Sequence, residues 1–122
     1  MKLYKEASYS CSRMITEKYS TSFSIGVRCL DPAIRDAVYA IYGFVRLADE
    51  IVDTFHEYDK EKILDRLVDD YRCSCEEGLS INPVVNAFVH TVKKYGIDDS
   101  LIDSFIKSMR SDIEKKNLMK RG

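Results

Sequence analysis

Only two prolines and five glycines occur in 122 residues, which argues against a disordered or fibrous chain and for a compact, helix-rich one. No apolar run is long. The longest, Tyr39 to Val45, falls far below the roughly 20 residues that cross a bilayer. Met1-Lys2-Leu3-Tyr4-Lys5 opens without the apolar segment of a secretory signal. The expectation is a cytoplasmic protein with no transmembrane segment and at most peripheral contact with a membrane. Neither sign of charge is in excess: 19 basic residues against 20 acidic leave a net charge of -1, and the one basic cluster, Lys115 to Arg121, sits at the terminus. A nucleic-acid partner is therefore not expected. Cysteine is limited to Cys11, Cys29, Cys73 and Cys75. In a cytosolic chain these read as reduced thiols, and Cys73 and Cys75 project to different sides of a helix, which speaks against a structural zinc site.

What is present is helical pattern and clear punctuation. Residues from about Leu3 to Lys18 predict a first helix, followed by Tyr19-Ser20-Thr21-Ser22-Phe23-Ser24, whose hydroxyls favour a helix end or loop. Asp31-Pro32 supplies a cap and a first-turn proline for a second helix, expected to run to about Phe55. Asp59 caps a third, about Lys60 to Glu77, which stops at Gly78. Asn82-Pro83 opens a fourth that ends at Gly96, and a fifth starts near Asp99 or Ser100 and reaches about Asn117. Nothing divides the chain internally, so residues 1–122 read as one all-α bundle of about five helices. On the second helix Ile34, Val38, Ile41, Val45, Ala48, Val52 and Phe55 recur at steps of four and three, an apolar stripe expected to face the core.

Beside that stripe, Tyr42, Arg46, Asp49 and Asp53 fall within roughly 60° of one another at about 100° per residue. They are expected to form a row along the rim of the core. The two aspartates are one turn apart, within reach of the same hard cations, and Arg46 offers a planar fork suited to phosphate oxygens. A metal-bound diphosphate with a hydrocarbon tail suits such a face. The plainer alternative pairs Arg46 with Asp49 or Glu50 on a solvated surface. Asp53 and His56 also have the i, i+3 spacing of di-iron bundles, but that architecture needs a second such pair, and His90 has no acid three residues before it. Ser20, Ser22 and Ser24 can donate to phosphate oxygens or act as local caps, and Phe23 between them reads equally well as a core contact.

Taken together, Tyr19-Ser20-Thr21-Ser22-Phe23-Ser24, Ala40-Ile41-Tyr42-Gly43-Phe44-Val45-Arg46 and Asp49-Glu50-Ile51-Val52-Asp53 resemble the squalene and phytoene synthase family of head-to-head prenyltransferases. The later helices, including Ser108-Met109-Arg110-Ser111-Asp112, resemble the same family's first half. The resemblance implies an all-α isoprenoid synthase fold that condenses two prenyl diphosphates through a cyclopropyl intermediate, with Mg²⁺ held by two aspartate-rich motifs. It implies Asp49 and Asp53 as metal ligands in the first motif, Ser20, Ser22, Tyr42 and Arg46 near the diphosphate, and Phe23 near the prenyl chain. Tyr42 and Arg46 are the side chains expected to act on the reacting end.

Family members are roughly twice as long or more. After Asp112 no acid pair stands in for the second motif, and Asn117-Leu118-Met119-Lys120-Arg121-Gly122 reads like a truncation. Residues 1–122 are thus expected to be the N-terminal portion of such a domain, inactive by itself and dimeric through the surface that missing helices would cover. The alternative is a non-catalytic helical module that binds a ligand or partner. Tyr19 stands where several relatives carry a histidine.

Overall fold

The computed structural model of the chain describes the backbone of residues 1–121 and the side chains through Leu118; Gly122 and the far end of the basic cluster lie outside the described residues. Among the described residues six helices follow one another: α1 Lys2–Tyr19, α2 Thr21–Arg28, α3 Pro32–Asp53, α4 Lys60–Glu77, α5 Pro83–Tyr95 and α6 Asp99–Arg121. The described residues contain no strand. The expected caps are in place. Asp31, Asp59 and Asn82 accept backbone N–H bonds at the starts of α3, α4 and α5, and Gly78 and Gly96 close α4 and α5 at φ 86° and 62°, a region that glycine alone enters without strain.

The helix that the sequence reading lacks is α2. Ser20 ends α1 in extended geometry and at once caps the next helix, its Oγ accepting from Phe23 N at 3.2 Å. The hydroxyl density that suggests a helix end or loop is therefore a cap joining two helices.

The core gathers around α5, where Val84, Val85, Ala87, Phe88, Val89 and Val92 are all buried. Phe44 of α3 stacks on Phe88 at 4.0 Å between ring centroids, with Tyr71 of α4 and Phe105 of α6 against the pair. Helix α1 approaches differently. Its buried stripe is Ser8, Ser12 and Thr16, whose hydroxyls bond to carbonyls one turn back. These small side chains let α1 lie close to Gly43 of α3.

The apolar stripe of α3 needs correcting. Ala48 and Val52 are buried, but Ile34 and Ile41 are 48% and 37% exposed, and Val38 and Val45 are only partly covered. The buried face consists of Ala37, Tyr39, Ala40, Gly43, Phe44, Ala48, Ile51 and Val52. Branched residues dominate hydrophobic periodicity, yet close packing against α1 and α5 selects the small residues and the aromatics. The face turns accordingly, and the row Tyr42, Arg46, Asp49, Asp53 lies roughly opposite the core, not along its rim.

Candidate functional site

Helices α2 and α6 both pack against α3, leaving between them a face, the trough, whose side chains touch both neighbours. On the α2 side, the Phe23 ring stacks on Tyr42 with centroids 5.0 Å apart and planes 22° from parallel. The Arg46 guanidinium lies 4.5 Å over the ring of Tyr19. Its Nη2 donates to Glu50 Oε2 at 2.7 Å, with both side chains mostly covered. The i, i+4 ion pair of the plainer reading is therefore present. Arg46 Nε, however, is buried with no acceptor among the described residues, so the guanidinium is only partly engaged. Hydrogen bonds from Arg46 first, and then from Thr54 and Tyr19, hold the Glu50 carboxyl below its ordinary range. Tyr19 in turn is raised by its bond to Glu50.

On the α6 side the charges alternate. Asp49 feels the negative charge of Asp112, and Asp53 is ion-paired with Lys116. Burial, together with repulsion from Asp53 and Asp112, pushes the Asp49 carboxyl above its usual value, despite the pull of Arg46 and Lys116. Above this row, Ile41 and Val45 form an apolar shoulder with Ile97, Leu101 and Phe105, around a cavity of about 260 Å³.

The structure thus brings Tyr42, Phe23, Arg46, Asp49 and Asp53 onto one trough. Ser20 caps the first turn of α2 and has no contact with the row on α3 among those the structure gives. Ser22 is exposed on α2, and Ser24 is buried with its hydroxyl unbonded among the described residues. Tyr19, Asp112 and Lys116 are the members that residue spacing on α3 misses. Asp112 and Lys116 repeat the i, i+4 step of Asp49 and Asp53, but only the packing of α6 beside α3 reveals that the two pairs meet. Spacing by itself does not mark a site here. Asp65 and Asp69, like Asp99 and Asp103, are also four apart, yet Asp65 pairs with Arg110 and Asp103 with Arg72 as exposed bridges between α4 and α6. His56, the rival metal ligand, has its Nδ1 3.3 Å from the Lys60 ammonium.

The donors on the trough are carboxylate oxygens, which suit a hard cation such as Mg²⁺. Their number is short: among the described residues no group of three or more His, Cys, Asp or Glu side chains is placed to hold a metal. Fit to Mg²⁺ therefore requires oxygens from a ligand. The helices offer no membrane-crossing span among the described residues.

The sequence profile described as squalene/phytoene synthase matches residues 16–120. The chain is similar to the presqualene diphosphate synthase of Zymomonas mobilis, at 39% identity over 59 residues, 48% of this chain and 20% of that protein. It is 30% identical to the phytoene synthase of Arthrospira platensis over 88% of this chain and 35% of that one. With phytoene synthase 2 of Oryza sativa it shares 32% identity over 93% of its length and 28% of the relative's. It spans about a third or less of the curated relatives it matches. With the profile covering most of its length and the matched residues including the whole trough, the chain belongs to the squalene/phytoene synthase family.

Proposed function

We propose that the trough on α3 is one wall of a prenyl diphosphate site for head-to-head condensation, with Asp49 and Asp53 as Mg²⁺ ligands and Arg46 as the diphosphate donor. The observation that carries this reading is the charge on the trough. Asp49, Glu50, Asp53 and Asp112 stand against Arg46 and Lys116, so a bare diphosphate is repelled and a divalent cation between the two is required. When bound, Mg²⁺ stabilises charge on the departing diphosphate as a Lewis acid. Arg46 orients the diphosphate by hydrogen bonds, aided by the Tyr42, Ser20 and Ser22 hydroxyls. Phe23, stacked on Tyr42, and the apolar shoulder of Ile41 and Val45 receive hydrocarbon and keep water from the reacting carbon.

Calorimetric titration with Mg²⁺ and a non-hydrolysable farnesyl or geranylgeranyl diphosphate tests this directly. The two are expected to bind in mutual dependence, each weakly without the other. Unchanged binding in the Asp49→Asn, Asp53→Asn double variant would reject the assignment.

A second reading, a non-catalytic module that pairs with another copy of itself, is favoured by one observation: Ile41 and Leu101, which line the apolar cavity, are exposed. Light scattering over a dilution series, combined with a radiolabelled turnover assay, separates the two. The 122-residue chain by itself is expected to show no turnover, because it presents a single aspartate pair on the trough.

A further inference from the structure

The Lys116 ammonium rests on Asp53 Oδ1 and lies 3.4 Å from Val52 O, at the last turn of α3. It comes from α6, one turn beyond Asp112, and its charge also acts on Asp49. The carbonyl of Val52 does not depend on it, because the buried Lys60 donates to the same oxygen at 2.6 Å. The end of α3 therefore keeps its cap when Lys116 moves away. A lysine ammonium is a compact charge on a flexible four-carbon stem, able to leave one carboxylate without moving backbone. Side-chain exposure of 36% for Lys116 and 52% for Asp53 puts the pair within reach of ions from solvent.

We propose that Lys116 is a resident counter-ion for Asp53, competing with the divalent cation for that carboxylate and holding the trough together when it is empty. The inference rests on the reading of Asp53 as a metal ligand. An ammonium and a dication repel each other at the same oxygen, so loading of the metal requires Lys116 to withdraw. The pairing thus makes the empty trough a poor binder of free cations, and raises the dependence of metal binding on the diphosphate that accompanies it.

The test is Mn²⁺ binding to the whole chain, read as loss of the free-ion electron paramagnetic resonance signal, with and without inorganic diphosphate. Without diphosphate, Lys116→Met is expected to bind Mn²⁺ about fivefold more tightly than the unaltered chain, the scale of one exposed ion pair. Lys116→Arg, which keeps the charge, is expected to stay near the unaltered affinity, and adding Asp53→Asn to Lys116→Met should erase the gain. Lys116→Gln serves if circular dichroism shows that the methionine variant does not fold. Equal or weaker Mn²⁺ binding in Lys116→Met, while Asp53→Asn still weakens binding with diphosphate present, overturns the role of Lys116 and leaves the metal site standing. Insensitivity of binding to Asp53→Asn under both conditions overturns the metal site, and the counter-ion with it.

Discussion

Gly43 lies so close to Ser12 that a Cβ on the glycine would stand 3.0 Å from the serine Cβ and 3.2 Å from its Cα. Contact with the backbone of another helix cannot be relieved by turning a side chain. Gly43→Ala recovers up to about 1 kcal/mol of helix propensity, but overpacking of this kind costs about 1–3 kcal/mol. A net loss of up to about 3 kcal/mol is expected in urea denaturation. The displacement of α1 should also lift Tyr19 from Arg46, so diphosphate affinity falls as well. A more stable Gly43→Ala chain would show that α1 yields freely.

Arg46 separates the surface ion pair from the binding role. Loss of the mostly covered pair with Glu50 is read in stability, whereas loss of a charge-assisted bond to phosphate is read in affinity and is worth about 1.5–3 kcal/mol. Arg46→Ala is expected to weaken diphosphate binding by that amount, about 10- to 100-fold. Arg46→Lys, which cannot reproduce the fork or its stacking on Tyr19, should recover only part of it. Unaltered affinity in Arg46→Ala would reduce Arg46 to a partner of Glu50.

Asp49 gives a prediction whose sign follows from its environment. Burial raises its carboxyl pKa in the folded chain, so the folded state holds that proton more readily than the unfolded one. The ionised form then detracts from stability above the folded pKa, and the deficit disappears below the unfolded value of about 3.9. Asp49→Asn is expected to melt higher than the unaltered chain at pH 7 and to lose that advantage as the pH falls to about 3. Such a gain on removing a site residue is typical of functional carboxylates. A lower melting temperature at pH 7 would mean that Arg46 and Lys116 outweigh the burial.

Ser20 both caps α2 and is a candidate ligand for phosphate. Ser20→Ala should destabilise the chain by about 0.5–2 kcal/mol, while Ser20→Asp keeps a capping oxygen and adds a negative charge near the trough. If Ser20 touches the diphosphate, Ser20→Asp restores stability without restoring affinity. Recovery of both in Ser20→Asp would leave the serine as a cap alone.

Turn chemistry made the helix boundaries readable, since Asp31-Pro32, Asp59, Asn82-Pro83, Gly78 and Gly96 act through local bonds that any fold must satisfy. The row on α3 was readable because it lies within four turns of one helix. Two features were not. The orientation of α3 depends on Ser8, Ser12 and Thr16 of α1, hydroxyl residues that no hydrophobic pattern marks as buried. The arrival of Asp112 and Lys116 beside Asp49 and Asp53 depends on the packing of α6, about 60 residues along the chain, which local spacing cannot encode.

Helix α2 buries only Ser24 and Val27, and Phe23 and Ile25 remain 42% and 57% exposed. So little burial places its amide protons at the fast-exchanging end of the molecule, while those of α3 and α5 are expected to exchange only with global unfolding. The two sides of the Phe23–Tyr42 stack are therefore expected to belong to different cooperative units. With one ring on a helix that opens with the whole molecule and the other on a segment expected to open and reclose by itself, the aromatic wall of the trough should re-form many times in the lifetime of its acidic floor.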